Sequence, residues 1–121
     1  MAGQTYKDLD VWQVAMELVL ETYRLTRALP ESERYGLISQ MQRAAVSIPA
    51  NIAEGYGRGH TAEYVHHLFM ARGSLLELET HLEVTLRLAY LTPDAALPAR
   101  QLIARTGMML NKLIKALKAK L

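Results

Sequence analysis

Apolar residues recur every three or four positions along almost the whole chain. Only Pro30, the run Gly55-Tyr56-Gly57-Arg58-Gly59 and Pro93 interrupt the rhythm. That period gathers side chains on one face of an α-helix, whereas a half-buried strand alternates with period two. The spacing predicts four helices, over about residues 8–28, 33–56, 62–91 and 94–119. Joined by short connections within one domain, residues 1–121, they form an all-α, antiparallel up-down-up-down four-helix bundle. A chain of 121 residues that is 50% hydrophobic can close such a core without a disulfide or a metal. With no cysteine, a stapled secreted scaffold, a thiolate zinc site and thiol catalysis are excluded.

The first helix is greasier than one bundle requires. Its apolar residues cover an arc of roughly 240° on a helical wheel, against the 100° or so that packing on one side demands. Trp12, Val19 and Tyr23 lie near the middle, with Leu9, Met16 and Leu20 on one flank and Val11, Leu18 and Leu25 on the other. Gln13, Glu17, Glu21 and Arg24 leave a narrow wet strip. The surplus predicts self-association, with Trp12, Met16, Val19 and Tyr23 at the interface.

In the second helix Leu37, Met41, Ala44, Ile48 and Ile52 form the buried stripe, opposite Gln40, Arg43, Ser47, Asn51 and Glu54. Ser32 is the expected N-cap. Pro49 cannot donate to the carbonyl of Ala45, so a kink is expected there. The following glycines are expected to end the helix through positive φ. Thr61 then caps the third helix, whose seam reads Leu68, Ala71, Leu75, Leu78, Leu82, Thr85 and Ala89. Gly73 in mid-helix predicts close approach of a neighbour. Thr92-Pro93 reads as N-cap and first helical residue of the last helix, with Pro98 bending its first turns or setting off a short turn before it.

Charge is unevenly placed. Residues 93–121 carry six basic side chains and one acidic one, although the whole chain is only +2. Arg100, Arg105, Lys112, Lys115 and Lys118 spread over about 140° of the last helix, with no acid between them. This face is the candidate nucleic-acid surface, working through phosphates, although a solvated basic helix face gives the same pattern. No aromatic residues interleave with these charges, so stacking of single strands on this face is not expected. The longest stretch free of Asp, Glu, Lys and Arg, from Ala44 to Ala53, is too short to span a bilayer, and the first residues lack the apolar core of a leader. A cytoplasmic location without a membrane partner is expected.

Catalytic and metal chemistry finds little support. A di-iron centre in a bundle needs two Glu-x-x-His pairs, and Glu63-x-x-His66 is the single one present, so no metal or cofactor is expected. His67, Ser74 and His81 share a helix face, but seven residues of helix separate neighbours by about 10 Å, too far for a nucleophile and its base. The spaced glycines lack the Gly-Lys-Ser/Thr of a phosphate loop and follow a helix rather than a strand, although the next helix start beside Arg58 could hold an anion.

Several motifs carry a family resemblance. Tyr35-Gly36-Leu37 leads into Ser39-Gln40-Met41-x-Arg43-Ala44-Ala45-Val46-Ser47-Ile48-Pro49-Ala50-Asn51-Ile52-Ala53-Glu54-Gly55. Asp8-Leu9-x-Val11-Trp12-Gln13, Ala71-Arg72-Gly73-Ser74-Leu75-x-Glu77-Leu78-Glu79 and Met109-Leu110-Asn111-Lys112-Leu113 add to it. The chain resembles the proteins encoded in intervening sequences of bacterial 23S ribosomal RNA genes, also labelled S23. The resemblance implies a homopentameric ring of four-helix subunits without known catalytic activity. It also links the chain to the accessory variability protein of diversity-generating retroelements, which binds nucleic acid and partners a reverse transcriptase. Arg43, Ser47, Pro49, Asn51, Glu54, Gly55, Arg58 and Arg72 then form either a recognition surface or a polar network that holds the helices together. The expected function is a non-enzymatic oligomer that binds RNA or DNA; the alternative is a protein-interaction scaffold with no nucleic-acid ligand.

Overall fold

A computed structural model describes residues 4–121. The first three positions of the expected domain, which also open the stretch read as lacking a leader, lie outside them. Four helices account for most of the chain: α1 (Asp10–Thr26), α2 (Ser39–Gly57), α3 (Thr61–Arg87) and α4 (Pro93–Lys118). No strand occurs among the described residues. Each helix packs on its neighbours in sequence, and α4 closes onto α1, with α2 and α3 the most extensively packed pair.

The side chains that meet fix the directions. Ser47 meets Ser74 and Asn51 meets His67, so numbers rising along α2 face numbers falling along α3. Arg72 meets Asn111 and Glu83 meets Arg100, which sets α4 antiparallel to α3. The core runs down the middle through Leu18, Met41, Ile48, Ile52, Leu68, Leu78 and Leu110, all essentially inaccessible to solvent. Thr22, Thr85 and Thr106 are buried among them and donate their hydroxyls to carbonyls of the preceding turn, at 2.8, 2.6 and 2.7 Å. Donors at these positions thus enter the core already satisfied.

The helix ends depart from the sequence reading in instructive ways. Before α1, Thr5 and Asp8 form a capping box around a 3-10 turn at Tyr6–Asp8, and the α-helix begins only at Asp10. Ser32 does not cap α2. Instead a 3-10 turn (Glu31–Glu33) and a single π-type turn (Arg34–Ile38) lead into it. The capping group is the Glu33 carboxylate, which accepts from the Leu37 N–H at 3.2 Å and from the Tyr90 hydroxyl at 3.0 Å. A Cβ on Gly36 would stand 2.7 Å from that carboxylate, so glycine gives it room.

Glycine has other uses here than those expected. Gly55 and Gly57 remain inside α2, and of the three glycines in this run only Gly59 has positive φ, at 79°. His60, not Thr61, precedes the first turn of α3, and its side chain makes no cap bond. Gly73 faces open space, with nothing within 4 Å of where its Cβ would lie; the close approach occurs at Gly55 instead. A Cβ there would lie 2.7 Å from the Cβ of His67 and 3.2 Å from the Tyr64 carbonyl, so this glycine lets α3 lie directly on α2.

The third helix stops at Arg87, short of the expected end, and Ala89 is an exposed cap residue with φ 60° rather than a seam position. The Tyr90 and Ala89 N–H groups bond back to the Thr85 and Leu86 carbonyls at 2.9 and 3.0 Å, the Schellman pattern. Thr92 caps α4 as expected, its hydroxyl accepting from the Ala95 N–H at 3.2 Å, with Pro93 in the first turn. The helix continues through Pro98 without a separate turn, and α2 likewise stays helical across Pro49.

Candidate nucleic-acid interface

Arg105, Lys112, Lys115 and Lys118 are all exposed on α4, because the core takes Ile103, Thr106, Leu110, Ile114 and Leu117 from the opposite side. None of the four takes part in an ion pair among the described residues. Arg24, Arg58 and Arg87, by contrast, each hold a glutamate one turn back along the chain on α1, α2 and α3, and Arg34 holds Glu31 across the two turns before α2. Arg100 separates from the group. It lies 3.9 Å from Glu83 and, with Glu79, lines a small cleft between α3 and α4, about 27 Å along the helix from Lys118. The basic face is therefore polarised: cationic toward the end of α4, charge-balanced near its start.

The expectation that no aromatic residue enters this surface is corrected by α3. Phe69, 37% exposed, sits across the seam. The Arg72 guanidinium lies 4.7 Å from its ring centroid and the Lys118 ammonium 5.7 Å. Asn111 on α4 fixes Arg72 by accepting from Nη1 at 3.1 Å. Arg72, read from the sequence only as a motif residue, thus joins the cationic end of α4. The signal available beforehand was the pair of motifs containing Arg72 and Asn111, but nothing in one dimension sets them side by side.

The second-helix motif divides into parts. Ser47, Asn51, His67 and Ser74 form a continuous network between α2 and α3. The Ser47 and Ser74 hydroxyls are 2.9 Å apart, and Asn51 donates to the Ser47 carbonyl and hydroxyl at 2.9 and 3.1 Å. That orientation turns the Asn51 amide oxygen toward Nδ1 of His67, 3.2 Å away, so that the ring nitrogen is the donor of this bond. His67 is buried, so the network joins the helices where Gly55 brings them closest. No side-chain bond among the described residues reaches the Ala45 carbonyl that Pro49 leaves free.

Arg43 stands apart from this network, exposed on the rim of an open groove with Gln40, Ser47, Ser74 and Glu77. Glu54 and Arg58 pair at 2.7 Å; the bond from Arg58 holds the Glu54 carboxyl below its ordinary range. Arg58 is thereby already engaged beside the start of α3, rather than free to hold an anion there. Glu63 and His66 have no third ligand nearby: among the described residues, no three His, Asp or Glu side chains converge as a metal site.

On α1 the expected interface residues behave differently from one another. Val19 is a core residue at 9% exposure, which corrects its assignment to a surface. Trp12 and Met16 are half-buried, and Tyr6 meets the Trp12 ring edge-on at 5.4 Å. Tyr23 at 41% and Leu20 at 69% carry the exposed apolar surface of this helix.

This architecture defines a small all-α four-helix bundle protein with a cationic seam on one edge. The chain belongs to the 23S rRNA-intervening sequence protein family, whose pattern it matches over residues 7–112. Among solved structures it is similar to a protein of unknown function from the S23 ribosomal protein family of Bacteroides thetaiotaomicron. The TM-score is 0.80 and the identity 24%, covering 87% of this chain and 98% of that one, a likeness of fold. No curated protein matches the chain significantly. No helix among the described residues is long and apolar enough to cross a membrane.

Proposed function

We propose that this chain is a non-enzymatic, self-associating bundle that acts in the cytoplasm by binding RNA or DNA through phosphate contacts on α4. The observation that carries the reading is the set of exposed cations Arg105, Lys112, Lys115 and Lys118, gathered on one helix without ion-pair partners among the described residues, whereas Arg24, Arg58 and Arg87 each hold a glutamate. Unpaired surface cations gain most from a polyanion, because each phosphate they meet releases a condensed counterion. Arg100 stands outside this surface, being matched by Glu83. Self-association, in a pentamer by family resemblance, would repeat the patch around an assembly through Leu20, Tyr23, Trp12 and Met16. A reverse-transcriptase partner belongs to this reading only through the resemblance to the retroelement accessory protein.

The charge-reversed triple variant Lys112→Glu, Lys115→Glu and Lys118→Glu tests the proposal. Binding to a labelled duplex, titrated at several salt concentrations, should weaken. Its log-log salt slope should flatten by roughly one for each lysine that meets a phosphate. Unchanged affinity removes α4 from the account. A second reading, a protein-interaction scaffold, is favoured by Tyr35: its side chain is 88% exposed on the π-type turn, where the guanidinium of its neighbour Arg34 lies 5.8 Å from the ring centroid. That reading gains if wild-type protein ignores nucleic acid at low salt.

A further inference from the structure

We infer that Phe69 and Arg72 form a stacking platform for an unpaired base, with Lys118 and Lys115 set to hold the adjoining phosphates. The inference deepens the phosphate-binding proposal and rests on it. Phe69, the single phenylalanine of the chain, keeps 37% of its surface in solvent although its neighbour Leu68 is fully buried in the core. A ring placed only for packing would turn inward. This one is flanked instead by two cations from two helices, at 4.7 and 5.7 Å.

Arg72 contributes a flat, delocalised guanidinium, and its bond to Asn111 at 3.1 Å keeps it beside the ring rather than sweeping through solvent. Neither Arg72 nor Lys118 takes part in an ion pair among the described residues, so their charge is available to a ligand. An aromatic ring and a guanidinium plane together suit a flat heteroaromatic ligand, and bases are stacked on both kinds of surface in single-strand recognition. A purely acidic partner would use the charges and have no use for the planes. Lys115 lies one turn from Lys118 on the exposed side of α4, about 4.5 Å along the axis, which places a second cation beside the same strand.

A duplex hides its base faces, so the platform predicts a preference for single strands that depends on the bases themselves. The test measures anisotropy of a labelled twelve-nucleotide oligothymidylate and of an abasic strand with the same number of phosphates, at two salt concentrations. Wild-type protein should bind the base-bearing strand roughly tenfold more tightly or better. Phe69→Leu should bring its affinity down to that of the abasic strand and leave abasic binding and its salt slope unchanged. Arg72→Lys, which keeps the charge and removes the plane, should lose part of the same preference; it serves also if Phe69→Leu fails to fold by circular dichroism.

Equal, salt-dependent binding of both strands by the wild type overturns the platform while leaving the phosphate proposal standing. A Phe69→Leu variant that folds but loses both ligands equally also overturns it. Failure of the wild type to bind either strand at low salt overturns both.

Discussion

Two positions show how little a residue type says before its neighbours are known. Gly55 carries the contact between α2 and α3, since a methyl group there would stand 2.7 Å from the His67 Cβ, part of a rigid helix rather than the end of a flexible side chain. Gly55→Ala should therefore cost about 1–3 kcal/mol, the usual penalty for overpacking, read as a lower midpoint in urea unfolding. Ala89 poses the opposite case. It holds φ 60° at the end of α3, a conformation that disfavours any residue with a Cβ. Ala89→Gly should stabilise by about 0.5–1 kcal/mol in the same assay, after the greater freedom of glycine in the unfolded chain is allowed for. Neither role could be read in one dimension. Gly73 has the more central place in its helix and yet touches nothing, and Ala89 continues an apolar rhythm that the backbone has already abandoned.

At the level of elements, the helices themselves were legible because apolar periodicity is set by the core each must cover. Of the predicted stripe of α2, Met41, Ala44, Ile48 and Ile52 are buried, while Leu37 is only half-buried on the π-type turn before it; Leu68, Ala71, Leu75, Leu78, Leu82 and Thr85 are buried as their spacing predicts. Their ends were less legible, because those depend on side chains reaching between loops. Glu33 is the clearest instance: it caps the π-type turn before α2 while accepting from Tyr90, fifty-seven positions away, beyond the end of α3. That bond raises the Tyr90 pKa above its ordinary value, with burial and the Glu33 charge adding to it; burial chiefly raises that of Tyr64. For both groups the folded pKa exceeds the unfolded value of about 10, so their contribution is complete below that pH and declines as pH rises through the folded values. Denaturant midpoints taken between pH 8 and 11 should fall above about pH 10. The fall should be shallower in Tyr90→Phe, and a midpoint flat across this range would contradict the assignment.

For the molecule as a whole, the question is what covers the apolar surface that one bundle leaves bare. Leu20 and Tyr23 on α1 are exposed in the single subunit, while Val19 beside them is already used in the core. Native mass measurement should find an oligomer at micromolar concentration, and Leu20→Lys with Tyr23→Lys should release single, folded subunits. A wild-type chain that stays single under those conditions removes self-association from the proposal. The candidate nucleic-acid surface was half legible. The cations of α4 stand out as a run of charge, but Phe69 and Arg72 join them only through the register of α3 against α4, which no spacing within either helix encodes.

That register also gives the seam a direction, from Phe69, Arg72 and Lys118 at one end to Glu79 and Glu83 around Arg100 at the other. Cyclic symmetry preserves polarity along its axis. Identical copies standing with their helices along such an axis would make a two-faced annulus, one rim attracting polyanions and the other, its charges balanced, indifferent to them. A strand would then be admitted from a single side, leaving the opposite rim for a different kind of visitor.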